Sequence, residues 1–284
     1  MKYLVLGAYG MAGHFVSIYL SEAGHNVSCL DKRKNTLYNS IIGDIRDSEL
    51  IKKIVTEGKF DAVINCIGIL NQAAEKNMEN AVYLNSYFPH LLVDLTTNIN
   101  TQIVHLSTDC VFSGKRGRYS ESDLRDGETF YDRTKSLGEI NDNKNLTIRT
   151  SIIGPDLNEN GIGLFNWFML QRGKIRGYTG VMWTGITTLE LAKVIESATK
   201  TKANGLYNMV YKEPISKYNL LVLLNKHFKN NDIEIEPFGA FISDKSLLRT
   251  RFEFDYIVPD YEKMISDLSI WIKSHQPFYP HYNF

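Results

Sequence analysis

Tyr131-Asp132-Arg133-Thr134-Lys135 sets a phenol and an ammonium four residues apart, which stacks them on one face of a helix. Such a pair suits proton delivery to an alkoxide, the species left when hydride adds to a ketone. A phenol of ordinary pKa about 10 is a poor acid-base partner near neutral pH, and bringing it to about 7 takes about 4 kcal/mol of differential stabilisation. Lys135 supplies adjacent positive charge, and a helix that opens at Tyr131 adds a smaller dipole contribution of the same sign. The phenol is therefore expected to titrate below its ordinary value. Spacing alone does not establish this: with 16 tyrosines in 284 residues, roughly one Y-x-x-x-K arises by chance, and a surface helix explains it as well. Ser107-Thr108-Asp109 shifts the balance, because it ends an apolar strand pattern, where doubly wound sheets hold their ligands. Thr108 is then the donor that polarises a carbonyl oxygen.

Hydride chemistry needs a hydride source, and Gly7-Ala8-Tyr9-Gly10-Met11-Ala12-Gly13 follows the first strand pattern and opens a helix, the context of a dinucleotide loop. The first glycine permits the turn, the second lets backbone N–H groups approach a pyrophosphate, and the third packs helix on strand. Gly7, Tyr9, Gly10, Met11 and Gly13 are the expected contacts. A ligand-free glycine turn is the alternative, made less attractive by the position of the loop. Asp31 ends the second strand near the offset at which a carboxylate meets ribose hydroxyls. Lys32, Arg33 and Lys34 follow it and suit a 2′-phosphate, or are a solvated basic turn, so NADH and NADPH both stay open. Asp44 and Ile45 are expected beside the adenine and Cys66, Ile67 and Gly68 beneath the cofactor, with Ser107 and Lys135 completing that set.

These residues need a parallel sheet to position them. Tyr3 to Leu6, Asn26 to Leu30, Ala62 to Cys66, Ile103 to Leu106 and Leu146 to Ile148 are short, continuously apolar runs, as strands covered on both faces require. Helical patterns at Asp47 to Gly58 and Met78 to about Leu95 lie between them. The expected class is α/β: a Rossmann doubly wound parallel sheet over residues 1–155 and a smaller C-terminal substrate-binding lobe over 156–284, with a segment near 187–211 returning to the first domain. In the lobe, helices are expected at Leu164 to Leu170, Thr188 to Thr199, Lys217 to Phe228 and Tyr261 to Ser274, and a strand at Leu206 to Val210.

Composition narrows the function. The 32 basic and 32 acidic residues cancel, which argues against nucleic acid or an acidic membrane surface as partner. Cys29, Cys66 and Cys110 are scattered and odd in number, so neither a disulfide framework nor a zinc site is expected, and a reducing, cytoplasmic setting fits. The seven histidines show no H-x-x-x-H spacing, and no metal is expected. Gly7, Gly10 and Gly13 interrupt the apolar start before a secretion signal forms, and no stretch is long enough to span a membrane.

Taken together, the glycine loop, Gly43-Asp44, Ser107-Thr108-Asp109-Cys110-Val111-Phe112-Ser113-Gly114, Tyr131 to Lys135 and Arg149-Thr150-Ser151 resemble the extended short-chain dehydrogenase/reductases, and within them the dTDP-4-dehydrorhamnose reductase family. The resemblance implies NAD(P)H-dependent reduction of the C4 keto group of a nucleotide-linked 4-keto-6-deoxy sugar, for bacterial surface polysaccharide, with Thr108, Tyr131 and Lys135 at the catalytic positions. Cys110 departs from the family's usual tyrosine, and Cys66-Ile67-Gly68 from its usual alanine run. Asn166-Trp167-Phe168 and Trp183 to Thr188 look more like reductases of UDP-linked 4-keto-6-deoxy-N-acetylhexosamines, the close alternative. Related 4,6-dehydratases carry a glutamate where Cys110 stands, and a thiol of ordinary pKa about 8.5 replaces it poorly, which favours reduction. A cofactor-binding regulatory subunit without turnover is the alternative of another class.

Substrate contacts are expected from Thr108, Asp109 and Tyr131, from Asn85 in the long helix, and from the basic aromatic segment that runs through Arg172, Lys174, Arg176, Tyr178 and Trp183. That segment suits a pyrophosphate and a stacked base, with Arg176 and Trp183 as its expected substrate contacts. For that segment a solvated loop with core-packed aromatics is the competing reading, and for Asn85 a satisfied helix asparagine. The Pro- and Tyr-rich tail from Gln276 to Phe284 suits packing across the lobe or a homodimer contact.

Overall fold

The computed structural model describes residues 1–32 and 39–282, so Arg33, Lys34 and the last two residues of the tail lie outside the described residues. In chain order the elements are β1 (Lys2–Leu6), α1 (Met11–Glu22), β2 (Asn26–Asp31), β3 (Asn39–Ile42), α2 (Ser48–Glu57), β4 (Ala62–Asn65), α3 (Asn71–Lys76) and α4 (Met78–Ala81). A π-helical turn, Val82–Tyr87, leads into α5 (Phe88–Thr96), followed by β5 (Gln102–Ser107), α6 (Phe130–Leu137), β6 (Leu146–Arg149) and β7 (Ile152–Ile153). The rest is α7 (Leu164–Leu170), β8 (Lys174–Trp183), β9 (Ile186–Thr187), α8 (Thr188–Thr201), β10 (Gly205–Asn208), β11 (Ile215–Ser216), α9 (Lys217–Phe228), β12 (Glu234–Asp244) and α10 (Tyr261–Ser274).

Seven strands form one parallel sheet in the order β10-β6-β5-β4-β1-β2-β3. Side chains along a strand alternate between faces, and here both faces are covered. Tyr3, Val5, Cys29, Ile64, Val104 and Ile148 pack into one core with α1, α8 and α10. Leu4, Leu6, Leu30, Val63 and Ile103 pack into another with Ile51 and Val55 of α2 and Phe88 and Leu92 of α5. This double burial is why the strand sequences are apolar without a polar alternation. β10 extends the sheet beyond β6, register Gly205 to Leu146 through Asn208 to Arg149.

Strand order reverses between β1, which pairs β2 on one side, and β4, which it meets on the other. Connections leave in opposite directions there, which opens a crevice at the strands' carboxyl ends. A separate sheet, β11-β8-β12, carries the segment from Lys174 to Trp183 as a ten-residue strand rather than a loop.

The stretch from Met78 to Thr96 is helical throughout but contains the π-helical turn around Asn85. Its cause is in the sequence: Pro89 has no N–H to give the Asn85 carbonyl four residues back, so the α-helical ladder breaks there. Gly138 then packs against that carbonyl, which a Cβ would approach to 1.8 Å.

Candidate active site

The crevice is floored by the loop joining β1 to α1. Gly7 has φ +81°, which disfavours any side chain, and Cβ there would lie 3.3 Å from the Cys66 carbonyl carbon across the switch point. Gly13 is fixed by contact: its Cβ would meet Gly7 O at 2.1 Å. Gly10 differs, since an added Cβ would find only Gly7 O, at 3.5 Å, and face open space. Gly10 is thus small toward the crevice and not toward the protein. It is also the N-cap of α1 and uses no side chain to cap, leaving the first N–H groups and the positive end of the dipole facing out.

Around this loop, Asp31 stands at the end of β2, Asp44 pairs Lys32 at 3.1 Å and accepts the Arg46 N–H, and Ile45 O accepts the Tyr83 hydroxyl. Asp44 is held below the ordinary carboxylate range by the Arg46 N–H, with Lys32 adding to it. Lys32 therefore already has an acidic partner. Cys66 follows β4, and burial pushes its thiol up to about 12, so it is neutral.

Thr108 follows β5 directly and caps a single 3₁₀ turn, Asp109–Val111, accepting the Cys110 N–H at 3.1 Å. Tyr131 is the second residue of α6, whose start is set by a reciprocal capping box between Thr129 and Asp132. The phenol lies close enough to Thr108 for that side chain to oppose the rise in its titration, while the Thr108 hydroxyl donates to Asp109 at 3.1 Å. Its titration is the reverse of the sequence expectation: burial pushes the Tyr131 phenol well above its ordinary value, and Cys110, Asp109 and Asp132 push the same way. Lys135 does not offset this, because its ammonium is directed elsewhere, donating to Leu106 O at 2.7 Å and lying 3.4 Å from His105 Nε2. Burial lowers Lys135 to about 8, against the opposing pull of Glu139.

Behind these groups is a buried ion pair between Arg149 and Glu139, a pairing the sequence reading did not foresee. Arg149, at the end of β6, places Nε and Nη2 each 2.7 Å from the Glu139 carboxylate. Ser107 donates to Glu139 at 2.6 Å and Arg125 at 2.9 Å. Burial alone would raise Glu139, yet Arg149, Ser107 and Arg125 win and hold it below its ordinary value. The guanidinium also reaches Asn208 of β10 and lies over the Phe112 ring at 5.0 Å. Strand ends β5, β6 and β10 are tied together directly under Thr108.

Several expected contacts are placed differently. Asn85 is fully buried, accepting the Ile69 N–H at 2.9 Å and donating to Ile69 O and to Thr134 Oγ1, so its side chain holds the loop after β4 instead of facing substrate. Ser107 gives its proton to Glu139 rather than into the crevice. Arg176 and Trp183 do not act together: seven residues of β8 separate them by about 23 Å, and Arg176 lies over Phe238 at 5.0 Å. Trp183 is buried against Tyr261.

The cation that does approach the site is Lys217, the first residue of α9, which lies 5.2 Å over the Trp183 ring. Burial lowers it to about 8, and Asp109 and Cys110 are the groups that act on it next. Lys245 joins it on Asp109 and sits 3.8 Å from Asp132. A lysine opening a helix opposes the dipole, a cost that local stability does not explain. That unfavourable placement was the one sequence signal. Among the described residues no group of acidic, cysteine or histidine side chains could hold a metal ion, and no helix is long and apolar enough to cross a membrane.

The profile of the RmlD substrate binding domain family matches residues 1–241. The spore coat polysaccharide biosynthesis protein SpsK of Bacillus subtilis is 31% identical over 140 residues, covering 49% of this chain and 47% of SpsK. The chain thus spans about half the length of this relative. A dTDP-4-dehydrorhamnose reductase of Aggregatibacter actinomycetemcomitans is 25% identical over 240 residues, 78% of each chain. Among solved structures, dTDP-4-dehydrorhamnose reductase from Bacillus anthracis in complex with NADP superposes with a TM-score of 0.80 at 19% identity, over 95% of this chain and 99% of that one.

Proposed function

The chain belongs to the RmlD substrate binding domain family, and from that premise we propose that it is an NAD(P)H-dependent reductase of the C4 keto group of a nucleotide-linked 4-keto-6-deoxy sugar. The observation that carries the reading is that Thr108 and Tyr131 are neighbours at the carboxyl end of β5, one helical turn from Lys135. The curated relatives support the substrate class, being named dTDP-4-dehydrorhamnose reductase and spore coat polysaccharide biosynthesis protein.

The loop residues fit a dinucleotide: Gly10 is open toward the crevice and uncapped N–H groups of α1 face it. Gly7, Tyr9, Gly10, Met11 and Gly13 would hold the pyrophosphate, Asp31 and Asp44 the adenosine side, and Cys66, Ile67, Gly68 and Lys135 the nicotinamide side. When bound, this cofactor supplies the hydride. Thr108 Oγ1 donates to the carbonyl oxygen, and Tyr131 Oη gives its proton to that oxygen as the C–H bond forms, so C=O becomes CH–OH. A phenol raised by burial is fully protonated at neutral pH, the form a donor must take. Lys135, directed to Leu106 O, lies one helical turn from the phenolate, which regains its proton from solvent before the next turnover. Asp109, expected as a substrate contact, and Lys217, which was not, meet the sugar nucleotide from the β8 side. In this reading residues 1–155 with β10 hold the cofactor, and the β11-β8-β12 sheet with α9 holds the sugar nucleotide. Burial also pushes the Cys110 thiol up to about 12, so it is no base for water elimination.

A panel of dTDP-, UDP- and GDP-linked 4-keto-6-deoxy sugars, assayed with NADH and NADPH side by side, tests the proposal through loss of nicotinamide absorbance. Tyr131→Phe is expected to lose turnover and keep cofactor affinity. If no panel member is reduced, the cofactor-binding subunit without turnover becomes the better reading, and full activity in Tyr131→Phe would remove the proposed acid.

A further inference from the structure

His105 lies within β5, fully buried, with both ring nitrogens engaged. Nδ1 is 3.2 Å from Asn65 Nδ2, and Nε2 is 3.4 Å from Lys135 Nζ. The Asn65 amide cannot be turned round, because its Oδ1 accepts the Ile67 N–H at 3.2 Å and a backbone N–H can only donate. Asn65 therefore offers its NH₂ to His105, Nδ1 accepts with its lone pair, and the single proton of a neutral imidazole must sit on Nε2. The ring is neutral: burial, with Lys135 and then His90 of α5 acting in the same direction, holds it well below its ordinary value.

The Nε2–H thus points at Lys135. An ammonium has three donors and no acceptor, so the charged lysine meets His105 donor against donor. The neutral amine has a lone pair that takes the Nε2–H, while one of its own N–H groups continues to donate to Leu106 O at 2.7 Å. We propose that His105, locked in its Nε2–H tautomer by Asn65, is a positioning residue that stabilises the uncharged amine of Lys135. The other groups facing Lys135 are Glu139, just past the end of α6, which favours the ammonium, and Cys66 at the end of β4, whose thiol stays protonated. The inference rests on the reductase reading only where it concerns turnover. The tautomer and the titration of Lys135 are properties of the protein alone.

The test is NMR on the full chain without substrate. Histidine-labelled protein, with His105 assigned by its loss in His105→Gln, reports which ring nitrogen bears the proton. Lysine-labelled protein, with Lys135 assigned through Lys135→Arg, reports its titration. Wild type is expected to show the Nε2–H tautomer. In Asn65→Asp the carboxylate accepts both the Ile67 N–H and a proton on Nδ1, so the tautomer switches, Nε2 accepts from the ammonium, and the Lys135 midpoint rises by about one pH unit or more, tenfold in proton affinity. Asn65→Leu is expected to raise it too, without an added charge. With a reducible sugar in hand, the alkaline limb of kcat/KM moves by the same amount in both variants. An Nδ1–H tautomer in wild type overturns the proposal, as does a midpoint that moves in Asn65→Asp but not in Asn65→Leu. The wild-type tautomer still decides if either variant fails to fold, and a failed substrate panel sinks the reductase reading while leaving this one standing.

Discussion

Arg149→Met removes one half of the ion pair beneath the site and leaves the other half enclosed. The Glu139 and Arg149 side chains are 0% and 1% exposed. Deleting one partner of such a pair costs about 3–5 kcal/mol, because the remaining charge keeps its desolvation penalty and loses its compensation. Glu139 would still have Ser107 at 2.6 Å and Arg125 at 2.9 Å, and methionine replaces much of the apolar volume over Phe112, so the low end, about 3 kcal/mol, is expected. For a chain of this size that lowers the melting temperature by roughly 5 °C. The loss should also depend on pH. In wild type Glu139 lies below its ordinary value, so its contribution is present above the unfolded carboxylate pKa and is lost as pH falls through the folded one. In the variant burial outweighs the remaining partners, Glu139 rises above its ordinary value, and protonation now favours the folded state. The gap between wild type and variant therefore narrows between about pH 7 and about pH 5. Calorimetry at both pH values, with Glu139→Gln/Arg149→Met as a control that recovers part of the loss at neutral pH, measures this. A loss under about 1 kcal/mol, or a gap unchanged on acidification, refutes the account of the pair.

The loop glycines should separate by their surroundings. Gly13→Ala, whose Cβ would sit 2.1 Å from Gly7 O, is expected to lower stability by about 1–3 kcal/mol and to weaken cofactor binding as well. Gly10→Ala, with nothing nearer than 3.5 Å, is expected to cost about 1 kcal/mol or less as a poorer N-cap while still losing at least about tenfold in cofactor affinity; melts and fluorescence titration of NADPH tell the two apart. Lys217→Met is expected to raise KM for the keto-sugar by about tenfold or more, about 1.4 kcal/mol, with cofactor affinity unchanged, and an unchanged KM in steady-state kinetics would remove Lys217 from the substrate side. His14 is buried between Gly10 O and the Tyr279 hydroxyl, and burial lowers it to about 4 from 6.5. Its unfolded form takes up a proton first, so stability falls as pH drops from 6.5 toward 4. Thermal melts across that window should show a smaller fall in His14→Gln.

How much of this was legible follows from the range of the forces involved. β1, β2, β4, β5 and β6 were readable because burial on both faces leaves a continuous apolar run, and the loop because Gly7 answers to its own positive φ and Gly13 to Gly7 O six residues back. The i,i+4 relation of Tyr131 and Lys135 is likewise local. β3, β8 and β12 were not foreseen, since they are polar or half-exposed and owe their pairing to distant partners. Pro89 already held the cause of the π-helical turn, but that a glycine at 138 would receive the freed carbonyl depended on the packing of two helices.

The sequence by itself determined the parallel sheet, the glycine loop and the helix that carries a phenol and an amine on one face. Only tertiary structure decided what those two groups do. Local charge argued for a lowered phenol, but the folded chain buries Tyr131 and turns Lys135 toward Leu106 O and His105, so desolvation wins. It also brought Lys217 to Asp109 from a hundred residues away and carried Arg176 to the far end of its strand. Titration is set by whatever shares the enclosed volume, and the chain specifies that volume only after it has folded.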